Sequence, residues 1–271
     1  METAQPPVAL TIAGSDCSAG AGLQADLKAF SACGVYGVTA VSALVVEAPG
    51  IVSRVEAQLP EVVAEQVRLL SDTFPIAAAK TGLLASADVV RAVQKVLEPT
   101  TFPLVVDPVA VASTGYSMVG PGFADALREF IEKRASLVTP NRKEAEELLG
   151  KPIASCDAAK EAASALSREL GCPVLLKGGH FDGSECVDFL AEGNRIESIT
   201  GARIPDGDIH GTGCTYSAAI TARLAQGFEL AEAVRLARRY LHETLAAAYV
   251  WPKIRGESVK ALAHFPENSQ T

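Results

Sequence analysis

The segment IHGTGCTYSAAI, residues 209–220, sets two glycines around Thr212, followed by Cys214 and a run of small, helix-forming residues. Gly211, Thr212 and Gly213 at the start of a helix make an anion cradle. The first N–H groups of a helix lack intrahelical partners, and the helix dipole favours negative charge there. Such a nest can stabilise charge moving onto a transferred phosphoryl group. Cys214 falls in the first helical turn, where the dipole is expected to lower the thiol pKa and bring thiolate within reach of neutral pH. Its residue type alone leaves three roles open: small core residue, nucleophile, or proton acceptor. His180 and His210 are available, but neither completes a recognisable nucleophile signature with it.

Four further segments carry chemistry of the same kind. In LLKGGH, residues 175–180, Lys177 ends an apolar run and precedes Gly178 and Gly179. A strand-end ammonium beside exposed backbone N–H groups suits a polyphosphate chain. In VVDPV, residues 105–109, Asp107 follows a buried strand and can assist a metal ion or a phosphate-bound water, or cap a turn. In TPNRKEAEELLG, residues 139–150, Asn141 can cap a helix with Glu144 at its third position, as in a capping box. The same amide and carboxylate could hold the hydration shell of Mg²⁺, which binds through few carboxylates plus phosphates. In AGSDCSAGAGLQAD, residues 13–26, Asp26 is expected to point back into a glycine-lined substrate loop; a solvated helix position is the plainer alternative. Gly20 to Ala25 also fits the dinucleotide pattern GxGxxG/A. Ser15–Ala19 hold that glycine away from the strand, however, and Glu47 lies 27 residues beyond Gly20, not about 20. Lysine, amide, carboxylates and an anion nest together describe phosphoryl transfer, which needs positioning, charge neutralisation and a base. No GxxxxGK[ST] occurs, so the chain is not a P-loop kinase.

The elements that must position these residues follow from hydrophobic periodicity. Apolar runs at Val8–Ala13, Val38–Val46, Ile76–Ala79, Leu104–Val106, Leu137–Thr139 and Val174–Leu176 read as strands. Amphipathic stretches at Gly22–Cys33, Pro60–Leu70, Ala87–Leu97, Gly122–Arg134, Arg142–Leu149 and Asp157–Leu170 alternate with them. Strands without a wet face, alternating with helices, predict a mainly parallel sheet covered on both sides. Cys186–Ala191 and Ile196–Thr200 read as a hairpin around Glu192-Gly193-Asn194, with helices near Thr212–Gln226 and Glu229–Val250 completing one α/β domain over residues 1–271. Ligands of open α/β sheets sit beyond the carboxyl ends of strands. That is where the segments above fall, together with Glu47–Gly50 and Lys80–Leu84.

The composition narrows the partners. With 24 basic and 32 acidic residues the formal charge is −8, and no basic tract is present, which excludes nucleic acid and anionic membranes as expected partners. No apolar run approaches the roughly 20 residues of a membrane span. Six cysteines without CxxC spacing suggest reduced thiols in a cytoplasmic protein.

AGSDCSAGAGLQADLKAF, GVYGVTAVSAL, AAAKTGLL, VVDPV, TPNRKEAEELLG, LLKGGH and HGTGCTYSAA, in this order, resemble the hydroxymethylpyrimidine/phosphomethylpyrimidine kinases, thiamine-pathway members of the ribokinase superfamily. The resemblance implies a three-layer α/β/α sandwich, ATP and Mg²⁺, a homodimer, and phosphorylation of a hydroxymethyl group on an aminopyrimidine. It implies Cys214 as the base, Gly211 and Gly213 around the γ-phosphate, and Lys177, Thr139, Asn141, Gly179 and Thr212 on ATP. Asp107 and Glu144 would serve the metal, and Gly14, Asp26, Glu47, Leu83 and Val109 the acceptor pocket. The chain departs from the pattern at Val46-Glu47-Ala48-Pro49, where the family reads AQNT, so a pocket glutamine becomes Glu47. An amide can donate and accept at once; a carboxylate only accepts, unless it or the ring carries a proton. KxGM becomes Lys80-Thr81-Gly82-Leu83, and the lid 109–116 lacks the family's lysine and aspartate. The altered pocket leaves a vitamin B6 kinase, another heterocycle kinase or a non-catalytic sensor as alternatives. Retention of Lys177, Glu144 and Cys214 counts against the sensor.

Overall fold

The computed structural model describes residues 5–112, 114–178, 185–204, 209–252 and 258–266. Strands β1 (Val8–Asp16), β2 (Tyr36–Ala48), β3 (Ile51–Ala57), β4 (Ile76–Thr81), β5 (Leu104–Val106), β6 (Leu137–Val138), β7 (Val174–Leu176), β8 (Glu185–Glu192) and β9 (Arg195–Ala202) form one sheet in the order β3-β2-β1-β4-β5-β6-β7-β8-β9. The central ladders from β2 through β7 are parallel, while β3, β8 and β9 join antiparallel. Successive side chains of a strand point to opposite faces, and here both faces are apolar. Leu10, Ile12, Leu104, Val106, Val174 and Leu176 pack into one core cluster. Ala9, Val105 and Leu175, one residue out of phase, pack into the other.

The first face is covered by α2 (Pro60–Thr73), α3 (Ala87–Leu97), α4 (Phe123–Arg134) and α6 (Cys156–Leu170), the second by α1 (Gly22–Ala32), α7 (Thr212–Ala225) and α8 (Leu230–Ala246). Helix α3 illustrates the local logic. The Ser86 hydroxyl caps the Val89 N–H, and Val89, Val90, Val93 and Leu97 are fully buried on one stripe, each contributing roughly 1.5–3 kcal/mol of transfer free energy. Strand β1 lies between β2 and β4, so the connections leave it toward opposite edges of the sheet. That topological switch opens a crevice beyond the carboxyl ends of β1 and β4.

Three expectations are corrected. The segment after Val46 is not a simple loop: β2 continues through Ala48 and turns at Pro49-Gly50 into β3, which pairs antiparallel with it. Sparse burial along β3 hid it from a reading based on apolar runs. The last helix stops at Ala246, not Val250, and Tyr249–Trp251 (β10) pairs with Val259–Ala261 (β11). Aromatic and β-branched residues favour that extended form over the alanine-rich pattern before them. The expected hairpin is present but longer, spanning Glu185–Ala202.

Candidate active site

Beyond β1 the chain folds back on Asp16. Its Oδ2 accepts from the N–H of Gly20 (3.0 Å) and Ala21 (2.8 Å), and its Oδ1 accepts from Ser18 N–H (2.7 Å). The glycine-rich loop therefore spends its N–H groups on an internal carboxylate, which argues against a pyrophosphate seat there. Burial opposes the charge of Asp16, but the hydrogen bonds from His210, Ser18 and Ala21 prevail and lower its pKa to about 2.

One turn into α1, Asp26 is fully buried. Lys80 Nζ lies 2.8 and 2.9 Å from its two oxygens, and Thr11 Oγ1 donates at 2.6 Å. The solvated alternative for Asp26 is thereby excluded. Burial disfavours the Lys80 ammonium, yet Asp26 outweighs it and raises its pKa.

Helix α7 is preceded by its N-cap Gly211, whose φ of +87° is left-handed and whose absent Cβ would lie 1.8 Å from the carbonyl oxygen of Gly20. Only glycine lets the two loops meet so closely. Cys214 sits in the first turn, and the N–H of Gly22, first residue of α1, donates to its sulfur. Two helix N-termini thus converge on one thiol. The expected lowering of its pKa is nonetheless corrected: burial pushes the thiol up to about 12, with Asp26 and Asp107 adding to the rise, against Lys80 and the Gly22 N–H. Desolvation exceeds the dipole here.

Lys177, directly after β7, reaches the same helix start, where a Cβ on Gly213 would lie 3.3 Å from its Nζ. It donates to Asp107 Oδ1 at 2.9 Å. Thr139 Oγ1 donates to that same oxygen at 3.1 Å and Ser217 Oγ to Oδ2 at 3.0 Å. Asp107 is buried, but Lys177 and Lys80 outweigh that burial and keep its carboxyl below the ordinary range. Gly178 has a structural reason of its own, since a Cβ there would fall 1.6 Å from the Val187 carbonyl oxygen on β8. Gly179 and His180 lie outside the described residues.

Helix α5 (Arg142–Leu149) carries the complete capping box. Asn141 Oδ1 accepts from Glu144 N–H at 3.0 Å, and Glu144 Oε2 accepts from Asn141 N–H at 2.7 Å while lying 4.0 Å from Lys177 Nζ. Burial raises the Glu144 pKa to about 7, with Lys177 opposing and Asp107 adding to the rise.

On the acceptor side, Ala43, Val45, Leu83, Ala85 and Met118 form a third apolar cluster, with Val52, Val55 and Val109 against it. Gly14 faces it: a Cβ there would meet Leu83 and Val45 at 3.3 Å. Glu47 follows Val45 on the same face of β2. Its Oε2 is 3.8 Å from His210 Nε2, which lies 3.0 Å from Asp16 Oδ2. Lys80, Asp16 and His210 were not singled out from sequence. Each was visible only as one member of a motif, since the partner that gives it meaning is distant in the chain: 54 residues for Lys80 and 194 for His210.

Solved structures with this framework are small-molecule kinases. A Bacillus subtilis pyridoxal kinase in complex with ADP superposes with a TM-score of 0.86 at 32% identity, covering 97% of this chain and 99% of that one. A phosphomethylpyrimidine kinase from Clostridium difficile 630 superposes at 0.76 with 36% identity, over 88% of this chain and 98% of that one. The class is that of ribokinase-like phosphotransferases. Within it the match narrows. A hydroxymethylpyrimidine/phosphomethylpyrimidine kinase of Rhizobium meliloti (strain 1021) is 40% identical over 242 residues, 89% of this chain and 91% of that protein. Residues 16–257 match the phosphomethylpyrimidine kinase family, and the chain belongs to it.

Proposed function

We propose that the protein transfers the γ-phosphoryl group of ATP to the hydroxymethyl group of 4-amino-5-hydroxymethyl-2-methylpyrimidine in thiamine biosynthesis or salvage, with the monophosphate as a second acceptor, through a single cytoplasmic kinase domain. The observation that carries the reading is the convergence of the Gly211–Gly213 helix start, Lys177 and Cys214 beside the Gly14–Leu83–Val109 pocket. Lys177 and the N–H groups of Thr212 and Gly213 would neutralise the phosphates, with Thr139 and Asn141 bordering ATP. As the acceptor oxygen bonds to phosphorus and the bond to the ADP oxygen breaks, the hydroxyl proton passes to Cys214 Sγ. A thiol held near 12 gives a scarce but strongly basic thiolate, and Lys80 and the Gly22 N–H are the groups that favour it.

The oxygen donors present suit Mg²⁺. Glu144 Oε2 serves the capping box, while Oε1 makes no hydrogen bond among the described residues. Both oxygens of Asp107 are already engaged, so Glu144 is the better ligand and Asp107 the anchor for Lys177. When bound, the ion supplies charge neutralisation to the phosphates.

Glu47 favours a second reading. A ring with an N–H donor, as in a pyridoxal kinase, would satisfy its carboxylate. Leu44, Val46 and Ile51, exposed on the outer face of β2 and β3, suit a second copy of the chain in a homodimer.

ADP release in Mg-ATP with the pyrimidine, its monophosphate, or the B6 vitamers tests the reading. Turnover is expected with the pyrimidine. A B6 vitamer used alone would select the second reading, and no turnover on any acceptor would overturn both.

A further inference from the structure

Glu47 is the least satisfied carboxylate of the site. Its side chain is 8% exposed, faces the acceptor pocket from β2, and accepts no hydrogen bond among the described residues. Its nearest charge, the His210 ring, stands 3.8 Å away and is spent on Asp16 at 3.0 Å. Asp16, by contrast, is well supplied with donors: Ser18, Gly20 and Ala21 donate to it as well. Although the three side chains lie close enough to hold a metal ion, Asp16 Oδ2, the oxygen facing His210, already meets Ser18 Oγ, the N–H groups of Gly20 and Ala21, and the His210 ring. The cluster therefore sets the His210 ring between two carboxylates, one tied down and one waiting. A ligand that displaces water from this carboxylate without pairing it incurs a cost, so a ligand that fits this pocket must bring donors to it.

Resting on the proposed pyrimidine reading, we propose that Glu47 binds the acceptor ring in its protonated form. The exocyclic amine and the adjacent ring N–H would donate together to the two carboxylate oxygens. A neutral 4-aminopyrimidine offers one donor beside one acceptor at that edge, which matches an amide. Protonation of the ring nitrogen makes both positions donors, and two parallel charge-assisted bonds to a carboxylate result. His210, shared between Asp16 and Glu47, is the positioning residue. Burial works against its charge, but Asp16 and Glu47 prevail and raise its pKa. Burial and Asp16 raise the pKa of Glu47, with His210 opposing the rise. With Glu47 entering as carboxylate and the ring neutral, about one proton is taken from solvent per site filled. Among the described residues, Asp16, Glu47 and His210 are the charged groups that face one another here, from β1, β2 and the approach to α7.

Calorimetric titration of the protein with 4-amino-5-hydroxymethyl-2-methylpyrimidine at pH 8, in buffers of different ionisation enthalpy, counts that proton. Uptake close to one per site is expected, with the ultraviolet spectrum of the bound ring shifted to that of the protonated pyrimidine. Affinity should fall about tenfold per pH unit above neutrality, the linkage for one proton. Glu47→Gln should abolish uptake, the spectral shift and the pH dependence together. Binding without uptake or spectral shift in the wild-type protein would overturn the proposal while leaving the pyrimidine reading intact. Failure to bind the pyrimidine at all would overturn that reading and this proposal with it.

Discussion

Cys214 and Lys80 show how a residue's setting can reverse what its position suggests. A cysteine in the first turn of α7 should be acidified, yet burial pushes its thiol to about 12. The favourable charge nearest in kind is Lys80, itself fully buried and held by Asp26, to which Thr11 also donates. That pair is a liability if broken: Lys80→Met leaves Asp26 as an uncompensated buried charge. A loss of about 3–5 kcal/mol is expected, read as a lowered denaturation midpoint; an unchanged midpoint would show that Asp26 is neutral in the fold. Of these features the sequence disclosed Cys214, Asp26 and the anion nest, because motifs keep their members close together. The Lys80–Asp26 and Asp16–His210 pairs join residues far apart in the chain, and no periodicity links them.

At the scale of elements, the capping box of α5 does two things at once. Asn141 and Glu144 bond each other's backbone; that holds the capping-box oxygen Oε2 4.0 Å from Lys177 Nζ and, among the described residues, leaves Oε1 free for a ligand. Structural and functional readings of this motif do not compete. Because the folded pKa of Glu144 is raised to about 7, it is protonated below that pH, and a metal ion must displace the proton. The Mg²⁺ concentration for half-maximal activity should therefore rise as pH falls from 7 to 6, by up to tenfold. In Glu144→Gln the requirement should be higher and independent of pH over this interval. An unaltered Mg²⁺ requirement in that variant would remove Glu144 from the metal shell. Strand β3 was illegible in the sequence for an equally physical reason. As an edge strand with sparse burial it lacks both the apolar run of a central strand and a clean alternation, although it forms the rim of the acceptor pocket through Val52 and Val55.

For the whole molecule, the order β3-β2-β1-β4-β5-β6-β7-β8-β9 is what makes scattered motifs into one site. The carboxyl ends of the parallel strands deliver Gly14, Glu47, Lys80, Asp107, Thr139 and Lys177 to a single edge of the sheet, and α7 closes over them with Cys214. The alternation of apolar strands and amphipathic helices made that arrangement legible, whereas pairing order is a property of the fold that local pattern does not encode. The central claim is that phosphoryl transfer to the pyrimidine hydroxymethyl occurs at Cys214. It is tested most directly by incubating wild type and Cys214→Ala with γ-labelled ATP, Mg²⁺ and the pyrimidine, and following label on the hydroxymethyl oxygen. The wild type should label the pyrimidine at a rate that climbs with pH, and the variant should be slower by about 10²–10⁴, the weight of general base catalysis, with the climb abolished. Label found only as inorganic phosphate, or equal transfer by the two proteins, would contradict the account.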